Sequence, residues 1–178
     1  MEVQDYESHA SFGLIWRLLD GIIWVLAVNV INREGEIIKA LKLIGGKADE
    51  YRAGYIEYPL RAFIREVLEE SGGIRVCDAE EVFSLTKDDY ESSFFTAKHT
   101  MHFFLVGPED HFGDVGETTD STPAFWVPIS EFGRNHLHSH HEGFFACLDL
   151  ACEKYPGFLN ILRTQKYFEN FEPKEKSE

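Results

Sequence analysis

Three glutamates, Glu66, Glu69 and Glu70, stand at i, i+3 and i+4, a spacing that brings three carboxylates to one face of a helix. Like charges so placed repel one another by about 0.2–0.5 kcal/mol per pair, so something must offset them. A hard divalent cation bound through oxygen does so. Carboxylates holding Mg²⁺ or Mn²⁺ suit the cleavage of a phosphoanhydride, where phosphate charge must be neutralised, a water made nucleophilic and the leaving phosphate stabilised. The other meaning of such an acidic run is a solvated helix face.

The elements that must position these residues can be read around them. Pro59 lacks the N–H that would be unpaired at a first helical position and Gly72-Gly73 supply a stop, which predicts a helix from Pro59 to Ser71. Leu60, Phe63, Ile64, Val67 and Leu68 fall at i, i+3, i+4, i+7 and i+8, one apolar stripe for a core. Upstream, Ala10 to Leu19 and Ile22 to Val30 are β-rich and joined by Asp20-Gly21, a hairpin dipeptide. Asn32 to Gly35 reads as a turn, and Leu41 to Ile44 as a short strand running into a Gly45-Gly46 turn. Downstream, strands are expected over Ile74 to Thr86, bulged near Asp78 to Glu81, and over Thr100 to Val106, with a polar turn from Lys87 to Ser93 between them. Gly107 to Thr122 has no period and reads as a loop, followed by a short strand from Ala124 to Val127 and a brief helix capped by Ser130. A helix from Gly143 to Tyr155 stops at Pro156-Gly157, and Phe158 to about Phe168 reads as helical.

From Glu57 the chain fits E-x7-R-E-U-x-E-E-x-G, with U a bulky apolar residue: Glu57, then Arg65, Glu66, Val67, Leu68, Glu69, Glu70, Ser71 and Gly72. This resembles the Nudix box of the Nudix hydrolases. With each residue type at about 6–7% usage, such a match arises by chance in far fewer than about one chain in ten thousand. Trp126-Val127-Pro128-Ile129-Ser130-Glu131 is similar to the W-V-P-x-x-E segment that many members carry after their last core strand. Two features depart from the family pattern. Ten residues separate Gly46 of Gly45-Gly46-Lys47 from Glu57, five more than usual, and the box's last apolar position is Gly73. The catalytic helix is therefore expected intact and the loop before it unusual.

The resemblance implies an α/β Nudix fold, a mixed β-sheet sandwiched between helices. It implies metal ligation by Glu66, Glu69, Glu70 and the Gly46 carbonyl, with Glu57 and Arg65 pairing behind them to brace the helix. The activity it implies is metal-dependent hydrolysis of a nucleoside diphosphate linked to another group, with a nucleoside triphosphate favoured. ADP-ribose, nucleotide sugars, dinucleotides and a non-catalytic nucleotide sensor are the alternatives. In the family the general base is either a box Glu or a carboxylate from a later loop, which here would be Asp114, Glu117 or Asp120, with Glu117 the candidate.

Composition bounds the rest. A length of 178 residues with 44% apolar and 14% aromatic content suits one globular domain over 1–178, with a frayed tail from about 170. A formal charge of −14 repels nucleic-acid backbones and anionic membranes, so a small nucleotide is the expected partner rather than a nucleic acid duplex. No signal-peptide pattern or membrane-length apolar run is present, and Cys77, Cys147 and Cys152 have no C-x-x-C spacing, which together point to the cytoplasm. The sequence leaves a homodimer open. The run His136-Leu137-His138-Ser139-His140-His141 reads as a polar connection that binds metal only adventitiously. One member of each pair Phe94-Phe95, Phe103-Phe104 and Phe144-Phe145 is expected in the core, with the other lining a base-stacking wall.

Overall fold

The computed structural model describes residues 7–52, 55–91 and 96–174. The β-rich runs form β1 (Glu7–Leu19) and β2 (Ile22–Ile31). They meet at Asp20-Gly21, where both residues take positive φ, 53° and 74°, as a tight hairpin turn requires. There follow β3 (Ile37–Lys47), β4 (Glu50–Arg52), β5 (Tyr55–Ile56), α1 (Pro59–Ser71), β6 (Arg75–Val76), β7 (Glu80–Glu91), β8 (Thr96–Val106) and β9 (His111–Phe112). The chain ends with β10 (Phe125–Pro128), α2 (Ile129–Asn135), a 3₁₀ turn at His138–His140, α3 (His141–Lys154), α4 (Phe158–Arg163) and a second 3₁₀ turn at Lys166–Phe168.

Six strands make a mixed sheet in the order β10-β2-β3-β1-β8-β7, between helices on both faces. β1 is shared along its length. Its Ala10–Gly13 pair with Ile44–Lys47 of β3, its Trp16–Leu19 with Ile22–Val25 of β2, and its first nine residues run parallel to β8. Because strand residues alternate between faces, β8 feeds both cores. Met101, Phe103 and Leu105 pack with Phe144, Cys147 and Leu148 of α3, whereas Phe104 and Val106 pack with Phe63 and Val67 of α1. Phe63 stacks on Phe104 with ring centroids 5.1 Å apart. Gly13 makes room, since a Cβ there would lie 2.3 Å from the Phe63 ring. Among the described residues no helix is long and apolar enough to cross a membrane.

Several expectations are corrected by long-range pairing. Gly45-Gly46-Lys47 is not a turn but the end of β3, in register with Phe12, Ser11 and Ala10. The expected Ile74–Thr86 strand breaks because the N–H groups of Cys77 and Asp78 donate to Asp110 O, and β6 pairs with β9 inside the supposed loop. β7 runs on into the supposed polar turn, to Glu91, and β8 starts at Thr96 rather than Thr100. Ser130 lies inside α2, which starts at Ile129 without a side-chain cap. The last helical stretch divides into α4 and a 3₁₀ turn. On α1 the buried face is Ala62, Phe63, Val67, Glu70 and Ser71, while Leu60 and Ile64 are exposed. The helix is turned so that a carboxylate, rather than the edge of the apolar stripe, faces the sheet.

Candidate active site

The last four carbonyls of a helix find no partner within it. In α1 all four are taken: Leu68 O by Gly72 N–H at 2.9 Å, Glu69 O by the Thr118 hydroxyl, Glu70 O by Ala124 N–H at 2.9 Å and Ser71 O by Gly116 N–H at 2.8 Å. The loop after β9 is thereby tied along the helix end. Gly72, at φ +73°, permits this, since a Cβ there would meet Glu117 O at 2.4 Å. Asp120 accepts from Thr122 N–H at 2.9 Å and acts electrostatically on both Glu66 and Glu70. Of the three loop carboxylates considered from sequence, Asp120 lines the cleft beside the box, whereas Glu117 and Asp114 are exposed outside it.

Glu57 is buried and Arg65 forks onto it, with Nε and Nη2 donating at 3.1 and 2.9 Å. Arg65 Nη2 also reaches Lys47 O at 3.1 Å, and Nη1 donates to Glu66 and to Glu69, both at 3.0 Å. The hydrogen bonds to Glu57 hold the guanidinium still further above its ordinary pKa. Asp49 N–H donates to Glu57 Oε1 at 3.1 Å and Glu57 N–H to Asp49 O at 2.9 Å. The enlarged loop is thus pinched shut at its base, with its extra length folded into the β4–β5 pairing. That is why the insertion leaves Glu57 and Arg65 together.

Gly45 and Gly46 bring backbone against the helix carboxylates. Gly45 sits at φ +142° and its N–H donates to Glu70 Oε1 at 2.9 Å. A Cβ on Gly46 would lie 2.6 Å from the Glu66 carboxyl carbon. Burial pushes the Glu70 carboxyl up to about 7, with Lys42 and the Gly45 N–H opposing and Glu66 and Asp120 adding to the rise. Burial likewise raises Glu66, against the pull of Arg65. As the side chains stand, no three His, Cys, Asp or Glu converge as ligands among the described residues. Arg65 holds Glu66 and Glu69, and Gly45 holds Glu70. The donor set still fits a hard divalent cation, because it consists of oxygens whose mutual repulsion a cation would relieve, pressed against a backbone cradle that a Cβ would fill.

Gly45, Gly46, Glu66, Glu70 and Asp120 line a cleft of 440 Å³. Lys42, Lys47 and Lys87 lie along it, and Phe12, Met101, Leu137 and His140 supply its less polar wall. Sequence reasoning missed Phe12, Lys42 and His140. The expected aromatic wall falls elsewhere: Phe103 and Phe104 are both buried on opposite faces, Phe144 is buried, and Phe145 borders a separate groove with Phe171. Phe94-Phe95 lie outside the described residues. In the histidine run, His136 Nε2 and His141 Nδ1 are 2.8 Å apart, but His140 turns inward and is 2% exposed. The signal was present: His140, Phe144, Cys147, Leu148 and Ala151 continue one helical period.

No family model matches the sequence and no curated protein matches it. Solved structures do. The Escherichia coli ORF135 protein aligns with a TM-score of 0.62 at 19% identity, over 85% of this chain and 96% of its own. A Nudix hydrolase from Nitrosomonas europaea aligns with a TM-score of 0.58 at 18% identity, over 79% and 88%. NrtR from Shewanella oneidensis, solved with a 27mer DNA, aligns with a TM-score of 0.56 at 13% identity, over 84% and 66%. The chain therefore has the Nudix fold, as the box implied. At these identities the likeness speaks to fold.

Proposed function

We propose that the protein is a metal-dependent pyrophosphohydrolase that cleaves a phosphoanhydride of a nucleoside diphosphate linked to a further group, with a nucleoside triphosphate favoured. The observation that carries this reading is the meeting of Glu66, Glu70 and Asp120 in one cleft that Lys42, Lys47, Lys87 and the rings of Phe12 and His140 also line. Glu66, Glu69, Glu70 and the Gly46 carbonyl would hold Mg²⁺ or Mn²⁺. When bound, the ion supplies charge neutralisation and Lewis acidity toward phosphoryl oxygens. Lys42, Lys47 and Lys87 bind and orient the phosphates, reversing locally the sign of a chain with formal charge −14. Asp120, outside the box, orients the attacking water and accepts its proton. Arg65 and Glu57 hold the helix in place behind the ligands. The same charge balance supports a small nucleotide over a nucleic acid, and the free thiols of Cys77, Cys147 and Cys152 support a reducing cytoplasm.

A second reading is a nucleotide-binding sensor without turnover. Arg65's hold on both Glu66 and Glu69 favours it. The test is product release from nucleoside triphosphates, ADP-ribose, dinucleotides and nucleotide sugars, with Mg²⁺, Mn²⁺ or chelator. Metal-dependent turnover of one class supports the hydrolase. A nucleotide that raises the melting temperature without turnover at any metal level selects the sensor.

A further inference from the structure

Where β3 parts from β1 beyond Ile44, its backbone meets the segment before α3. Leu137 N–H donates to Leu41 O at 2.7 Å, His140 N–H to Leu137 O at 2.9 Å, and Leu43 N–H to His140 Nδ1 at 3.2 Å. The last bond settles the tautomer. Because Nδ1 accepts, the proton of the ring sits on Nε2. The ring is held between Phe12, with centroids 4.3 Å apart, and Phe103, edge to face at 5.5 Å. Burial and the nearby Lys42 keep it neutral, lowering its pKa to about 3.

Capping Leu43 N–H accounts for Nδ1 and leaves Nε2–H unexplained. No described residue accepts a hydrogen bond from it. Nor is it among the unpaired side-chain atoms sealed from solvent, and His140 lines the cleft. The molecule thus holds a neutral, rigid, single donor on the cleft wall, packed against the ring of Phe12. A neutral donor suits any hydrogen-bond acceptor, and the Phe12 ring beside it is the feature that favours an acceptor carried on a flat ring.

On the pyrophosphohydrolase reading, we propose that His140 selects the base of the substrate nucleotide, its Nε2–H donating to a carbonyl oxygen on the ring edge, so that a carbonyl-bearing base is taken in preference to its amino counterpart. An amino group presented to Nε2–H would set donor against donor and leave both unpaired. Phe12 offers its face or edge to the same ring.

The experiment compares kcat/KM for inosine against adenosine triphosphate and for uridine against cytidine triphosphate, pairs that differ by carbonyl for amino, in the wild type and in His140→Phe. The carbonyl member is expected to be favoured by at least about tenfold in one or both pairs, falling to within about threefold in the variant. Because His140→Phe leaves Leu43 N–H unpaired and could fold poorly, nitrogen-15 histidine spectra of the wild type form a second arm. The Nε2–H signal of His140 should move with metal-free inosine monophosphate and stay still with adenosine monophosphate. Ratios within about threefold in both pairs, with an unmoved signal, would overturn the inference while leaving the hydrolase reading intact. Absence of turnover with every nucleotide and metal would sink the hydrolase reading instead, and the spectra would still decide the role of His140.

Discussion

The charged part of the site hangs from a single helix and is held by what lies next to that helix: Arg65 on Glu66 and Glu69, the Gly45 N–H on Glu70, the tied loop carrying Asp120. The less polar part, Phe12, Met101 and His140, comes from β1, β8 and the turn before α3, and nothing local in the sequence gathers it. The first is acidic, Glu66 and Asp120 both adding to the rise of Glu70. The second is built around a neutral, ring-packed imidazole with one N–H that no described residue accepts. On the proposed function the contrast assigns chemistry and selectivity to separable parts, so each should be breakable with the other left standing.

The largest effect is expected at the charged part. Glu70→Gln keeps an oxygen for the Gly45 N–H but removes a carboxylate charge, and should lower kcat by about a thousandfold or more in a metal-supplemented assay while thermal melting changes little. If turnover survives, Glu70 is only a helix-packing residue. Next, Glu57→Ala leaves the largely buried Arg65 fork without its main partner and should cost about 3 kcal/mol in urea denaturation. An unchanged midpoint would mean that the pair braces nothing.

The less polar part should announce itself through pH. His140 has a folded pKa lowered to about 3, below the ordinary value of 6.5. Between those values the unfolded chain binds a proton that the folded chain refuses, so stability is intact above pH 6.5 and falls as pH drops below it. At pH 5 the loss from this group is about 2 kcal/mol. Because Glu70, raised to about 7, shifts stability the opposite way over the same range, the test is the contrast: the pH 7-to-pH 5 change in unfolding free energy should differ between the wild type and His140→Gln by about 2 kcal/mol. Smallest of all should be Glu117→Gln, whose side chain is exposed outside the cleft and which should leave kcat within about twofold. Asp120→Asn should lower kcat by about tenfold to a hundredfold. The reverse ranking would return the base to Glu117.

What the sequence by itself determined is the local part. Pro59 and Gly72 bound α1, Asp20-Gly21 turn the first hairpin, and Glu57 with the Arg65–Glu70 run are spaced along a single helix and its approach. These depend on backbone preference and side-chain period over a few residues. Only the tertiary structure decided that Gly45-Gly46 extend a strand, that α1 turns Glu70 inward, that Asp120 rather than Glu117 reaches the box, and that His140 leaves a polar run to line the cleft. Each of those depends on which distant strand or carbonyl a backbone group pairs with. A shift of one residue in such a pairing exchanges the inward and outward faces, and no short-range pattern carries that choice.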